Sequence, residues 1–124
     1  MSIKYRILIV DDSAAMRMMI TAALQESEFD VVGAAKDGEQ ALQLFKETSP
    51  DLVLLDIVMP GMSGVETLVH IKGIDKNAVV VMASSMGTED AVQGALKAGA
   101  KNFLQKPIDQ DGLLKVLRNT VSSL

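Results

Sequence analysis

Four apolar runs in this 124-residue chain lead into side chains that could do chemistry. The run Ile7 to Val10 is followed by Asp11 and Asp12, and Leu52 to Leu55 by Asp56. Ala78 to Met82 leads to Ser84, and Asn102 to Gln105 to Lys106. Three carboxylates, a hydroxyl and an ammonium become a chemical set only if they meet. Carboxylates in one crevice repel: two unit charges about 4 Å apart cost roughly 4 kcal/mol at an effective dielectric near 20. Something positive must therefore lie among them. A hard divalent cation suits the set, because Mg2+ prefers oxygen ligands, uses one or two carboxylates and keeps several waters. Lys106 supplies a second, fixed positive charge. A cation and an ammonium flanking one exposed carboxylate form a site for a phosphoryl group, and Asp56 is then a nucleophile as well as a metal ligand. Taken singly, each residue is ordinary: an Asp pair caps helices, a Ser ends strands in turns, a Lys before Pro sits in loops. Their arrival at one edge is what points to chemistry.

The elements that must bring them there are five strands and five helices in alternation, which imply a parallel sheet covered on both faces. Asp51 to Gly64, DLVLLDIVMPGMSG, is the centre of this arrangement. Its unbroken apolar run reads as a strand buried on both faces, Met59 to Met62 as a turn, and Ser63 with Glu66 as a capping box opening a helix. Asp56 thus stands at a strand's carboxyl end, where ligands bind in open parallel sheets. The first helix is capped by Ser13 and carries Met16, Met19, Ile20, Ala23 and Leu24 at one-face spacing, expected to be buried. Asp30 to Ala35 forms the second strand. Asp37 and Gly38 turn into a helix burying Ala41, Leu42 and Phe45 and ending before Pro50. The third helix turns Val65, Leu68 and Ile71 inward. Thr88 caps a fourth helix with Ala91, Ala95 and Leu96, closed by Gly99 in a left-handed conformation. Asp109 caps the last, with Leu113, Val116, Leu117 and Val121 on the sheet. His70, the only histidine, falls on a helix away from the strand ends and reads as a solvated surface residue. Gly94 interrupts a helix with no functional reading attached.

Composition narrows the partners. The apolar fraction of 48% with 3% aromatic residues indicates one aliphatic-cored domain over residues 1–124, with no attached output module expected. No cysteine is present, which removes disulfides and thiolate metal sites. The apolar patch in MSIKYRILIV is too short for a signal segment, so a cytoplasmic protein with no membrane association is expected. A net charge of -4 and a pI near 4.9 oppose nucleic-acid binding and point to a protein partner.

These motifs resemble the response-regulator receiver domain, and they do so along essentially the whole chain: the acidic pair in ILIVDDS, the acceptor in LLDIVMPGMSG, the hydroxyl in VMASS, then AGAKNFLQKP. The resemblance implies a flavodoxin-like α/β fold, a single doubly wound five-stranded parallel sheet of order 2-1-3-4-5 with five helices. That order is the one known for CheY and is taken from the resemblance, not from the residues. It implies that Asp56 accepts a phosphoryl group from a histidine kinase, and that Asp11, Asp12, Asp56 and the backbone carbonyl of Val58 organise Mg2+. Ser84 and Lys106 then bind phosphoryl oxygens, Ser84 and Phe103 form the switch, and the Lys106–Pro107 bond is cis. The signalling surface is the face of the fourth helix, fifth strand and fifth helix, on a monomer that catalyses only its own phosphorylation and dephosphorylation. DDSAAMRMM and SSMGTEDAV look most like stand-alone chemotaxis regulators of the CheY type. Phe103 departs from the tyrosine of many of these, and Ile108 from the aromatic that often follows Lys-Pro; both bear on the downstream partner. Val58 and Met86 fall where a hydrolytic water would enter and cannot orient it, which implies slow loss of the phosphoryl group.

Three rivals share parts of this pattern. A phosphorelay intermediate has the same chemistry with a different recipient. A Mg2+-dependent aspartyl phosphohydrolase would usually place a general-acid aspartate two residues after the nucleophile, where this chain has Val58. A flavin-binding protein of similar topology needs a hydroxyl- and glycine-rich first loop, where Asp11 and Asp12 would repel the cofactor phosphate.

Overall fold

The computed structural model describes residues 4–85 and 89–124. Strands β1 (Tyr5–Val10), β2 (Phe29–Ala35), β3 (Leu52–Asp56), β4 (Val80–Ser84) and β5 (Asn102–Gln105) alternate with helices α1 (Ala14–Leu24), α2 (Gly38–Thr48), α3 (Gly64–Ile74), α4 (Glu89–Lys97) and α5 (Gln110–Ser122). All strand pairs are parallel, in the order β2-β1-β3-β4-β5. The architecture and strand order are those the resemblance implies.

Side-chain alternation along the strands separates two cores. Leu8, Val10, Val53, Leu55, Val80 and Met82 face α2, α3 and α4 and pack with Ala41, Phe45, Leu68, Ile71 and Ala95. Ile7, Ile9, Leu52, Leu54, Val81 and Ala83 point to the other face and meet Ile20, Leu24, Leu113 and Leu117 of α1 and α5. Every residue of β3 is buried, as its uninterrupted apolar run requires. At about 1.5–3 kcal/mol for each fully buried Leu or Val side chain, this central strand is a principal anchor of the sheet.

Helix starts follow their caps. The side chains of Ser13, Asp37, Ser63 and Asp109 accept from the backbone N–H three residues on, at Met16, Gln40, Glu66 and Gly112. Gly99 has φ +110, the left-handed conformation expected after α4. The cap expected at Thr88 lies outside the described residues.

Three expectations need correction. Met19 and Leu96, assigned to buried stripes, are 41% and 46% exposed. Periodicity fixes the direction of a helix's buried arc but not its width, and here the arcs are narrow: α1 buries Ile20 and Leu24, α4 only Ala95. The fourth strand begins at Val80, because Ala78 N–H bonds back to Asp75 O in a turn at 3.0 Å. His70 is exposed on α3. Among the described residues, no helix is long and apolar enough to cross a membrane.

Candidate functional site

The parallel register sets the strand ends side by side. Val10 pairs with Leu55, Asp56 with Ala83, and Ser84 with Gln105, so the residues following β1, ending β3 and β4, and following β5 reach one edge. Single oxygens of Asp11, Asp12 and Asp56 lie within 4.8 Å of one another. Asp11 is buried, Asp12 is exposed, and Asp56, expected to be the exposed carboxylate, is instead buried.

Lys106 joins the two buried carboxylates. Its Nζ lies 2.8 Å from Asp11 Oδ2 and 3.4 Å from Asp56 Oδ2. Burial opposes its charge, but the Asp11 hydrogen bond and the negative charges of Asp56 and Asp11 outweigh that, and its pKa is raised above the usual 10.5. Asp56 is pushed above 3.8, chiefly by burial and further by Asp11, against the pull of Lys106. One ammonium does not fully offset the cost of burying Asp56, so a further positive charge beside it would be favourable.

Asp11 is tied down at every polar atom. Its N–H donates to Ala35 O at 3.0 Å, Oδ1 accepts from Ser13 N–H at 2.9 Å, and its carbonyl accepts from Arg17 Nη1 at 2.7 Å. Arg17 was not among the residues singled out from the sequence. The only signal for it is a basic residue six positions after Asp11, on the first helix. Ser84 is buried at the end of β4, and its carbonyl accepts from Lys106 N–H at 2.8 Å, which holds β5's exit beside it. The Lys106–Pro107 bond is cis, as the resemblance implies. Val58 N–H approaches Asp56 Oδ1 at 3.4 Å, while Val58 as a whole is 58% exposed. Phe103 is half-buried against the core beneath α4. Ile108 is buried in the opposite core. Met86 lies outside the described residues.

The donor set fits a hard cation: three carboxylates on one edge, all oxygen, with one of them exposed to accept an ion carrying waters. Residues 7–118 match the family model described as the response regulator receiver domain. The chain belongs to the response regulator receiver domain family. The receiver is 48% identical to the chemotaxis protein CheY of Bacillus subtilis strain 168, over 95% of this chain and 98% of that one. CheY of Thermotoga maritima is 42% identical, over 94% and 97%. A crystal structure of a CheX-CheY-BeF3-Mg+2 complex from Borrelia burgdorferi matches with a TM-score of 0.92 and 37% identity, covering 96% of this receiver and 90% of that chain. Receivers are phosphoacceptor switches rather than ordinary enzymes; they bind Mg2+ at an acidic pocket and work with histidine kinases and downstream proteins. Neither the phosphohydrolase nor the flavoprotein reading is favoured by these matches.

Proposed function

We propose that this receiver takes a phosphoryl group from a histidine kinase onto Asp56 and signals in chemotaxis. The observation that carries the reading is the bridge of Lys106 Nζ between Asp11 Oδ2 and Asp56 Oδ2, inside a cluster of three carboxylates. A carboxylate oxygen of Asp56 attacks phosphorus, the bond from phosphorus to the donor's imidazole nitrogen breaks, and the electron pair leaves on that nitrogen. Asp11, Asp12, Asp56 and the Val58 carbonyl would hold Mg2+, which when bound neutralises charge on the phosphoryl oxygens. Lys106, 3.4 Å from Asp56, would donate to one phosphoryl oxygen, and Ser84, one strand away, to another. Burial of Asp56 excludes bulk water from the acceptor. Because the chain supplies the acceptor, the ammonium and the metal ligands, it catalyses its own phosphorylation from small donors as well.

The same reading takes the output to be the face of α4, β5 and α5. A phosphoryl group on Asp56 offers the Ser84 hydroxyl a strong acceptor, and movement of Ser84 inward leaves space for the half-buried Phe103 ring. The protein acts as a cytoplasmic monomer, its single receiver domain spanning residues 1–124. Acetyl phosphate with Mg2+ should add one phosphoryl group, stable in acid and labile in base, and Asp56→Asn should remove it. Labelling that persists in that variant, or that proceeds equally in EDTA, refutes the assignment.

A further inference from the structure

Residues 57–63, which follow Asp56, are gripped at few points. Ile57 N–H donates to Ala83 O at 3.0 Å, and Gly64 N–H donates to Ile57 O at 2.8 Å, closing the base of the loop. Met59 is buried in the core with Ala41 and Leu68. At the tip a Cβ on Gly61 would meet nothing within 4 Å, and Pro60 and Gly61 line a cavity of about 230 Å³ together with Asp37 and Glu39. Beyond the tip, Met62 and Thr67 lie close against Gly38 of α2.

Gly38 is buried, and its φ lies outside the left-handed region, so space rather than backbone conformation calls for glycine there. A Cβ at this position would overlap Thr67 Oγ1 and come within 2.9 Å of Met62 Sδ and 3.0 Å of Met62 Cβ. Thr67 has no room to retreat. It is fully buried, and both its N–H and its Oγ1 donate to Ser63 O, at 2.9 and 2.8 Å. Ser63 is the cap that ends the loop, and the Gly64 to Ile57 hydrogen bond ties that end back to the residue after Asp56. A displacement imposed at Gly38 therefore passes through Thr67 and Ser63 to Ile57 and Val58.

We propose that Gly38 is a positioning residue for the metal site: the closeness with which α2 meets Met62 and Thr67 sets where the backbone of residues 57–59 lies against Asp11 and Asp12. This rests on the reading of Asp56 as a Mg2+-dependent phosphoacceptor. Calorimetric titration of the full chain with Mg2+, beside urea unfolding, tests it in Gly38→Ala, Thr67→Ala and the double variant. Alanine is the better helix former, so stability alone does not report on the contact. Gly38→Ala should bind Mg2+ about tenfold more weakly, as when a group supporting a ligand is moved. Removing the Thr67 hydroxyl in the double variant should restore most of the affinity. Wild-type affinity in folded Gly38→Ala, or a loss that Thr67→Ala does not relieve, overturns the proposal. If Gly38→Ala does not fold, Met62→Ile adds bulk on the facing Cβ; weaker Mg2+ binding there supports the proposal and unchanged binding overturns it. Asp12→Asn separates the two levels. Equal Mg2+ binding by that variant and the wild type overturns the phosphoacceptor reading and the proposal with it, whereas weaker binding by Asp12→Asn with wild-type binding by the Gly38 variants overturns the proposal alone.

Discussion

Asp56→Asn should stabilise the protein while abolishing its phosphorylation. The variant relieves the repulsion of Asp56 with Asp11 and Asp12, whose oxygens lie within 4.8 Å, each term no smaller than about 3.5 kcal/mol at an effective dielectric near 20. It forfeits the attraction to Lys106 at 3.4 Å, about 5 kcal/mol on the same scale. Exposure of Asp12 screens its share, while loss of a buried charge adds relief. The balance is a gain of about 1–3 kcal/mol at pH 7 without divalent ions, or roughly 1 M in the urea midpoint. The pH dependence has a definite sign. The folded-state pKa of Asp56 is raised above 3.8, so the native protein holds its proton more firmly than the unfolded chain. Wild-type stability then falls as pH rises from 3.8 through the folded value, and the advantage of Asn shrinks as pH is lowered toward 3.8. Mg2+ should also narrow the gap, because it binds the native wild type more tightly than the variant. Urea unfolding in EDTA from pH 7 down to pH 4, repeated with Mg2+, reads all of this. A variant no more stable than wild type at pH 7 in EDTA would refute the electrostatic reasoning.

Thr120→Val should cost about 1–3 kcal/mol, because Thr120 Oγ1 accepts from Asn102 Nδ2 at 3.1 Å and donates to Val116 O at 2.7 Å, and the amide would lose its partner. An unchanged urea midpoint contradicts this. Gly64→Ala should reach or exceed the upper end of the about 1–3 kcal/mol typical of overpacking, since its Cβ would overlap Asp56 O and meet Ile57 Cα at 2.5 Å, both backbone atoms. Equal unfolding midpoints for variant and wild type would mean that the β3–α3 junction yields freely. Val58→Asn should hasten loss of the phosphoryl group several-fold, a factor of ten requiring only about 1.4 kcal/mol, because the exposed side chain at 58 gains a group able to orient water. Decay at the wild-type rate, followed after removal of acetyl phosphate, would place control of water elsewhere.

Much of this could be read from the chain because strand and helix signals were strong where they mattered. The run from Leu52 to Leu55 had no polar interruption and ended on one carboxylate, so both the buried strand and the place of Asp56 at its carboxyl end followed, whereas the strand order came from the resemblance. Caps at Ser13, Ser63 and Asp109 marked three helix starts and the Asp37–Gly38 turn a fourth. Buried Thr67 and Thr120 were not anticipated, since a hydroxyl on a helix reads as solvated. Each satisfies itself by donating to a carbonyl of its own chain four residues back, at Ser63 and Val116. Arg17 escaped notice because its partner is a backbone carbonyl, which leaves no trace in residue types. The fit of Gly38 against Thr67 joins residues 29 apart, and local pattern does not carry distances of that kind.

The ion pair between Lys106 and Asp11 spans 95 residues of chain and is formed across the sheet from β1 to the exit of β5. A nascent chain that has made β1, β2 and β3 already holds all three acidic groups but not their ammonium. Without a cation, its carboxylates repel with no ammonium among them until the fifth strand docks. Ligands that recognise the assembled edge will bind the finished fold in preference to partly folded chains, and through mass action will draw the population toward it. A chain ending before Lys106 has the three carboxylates but lacks the ammonium that bridges two of them.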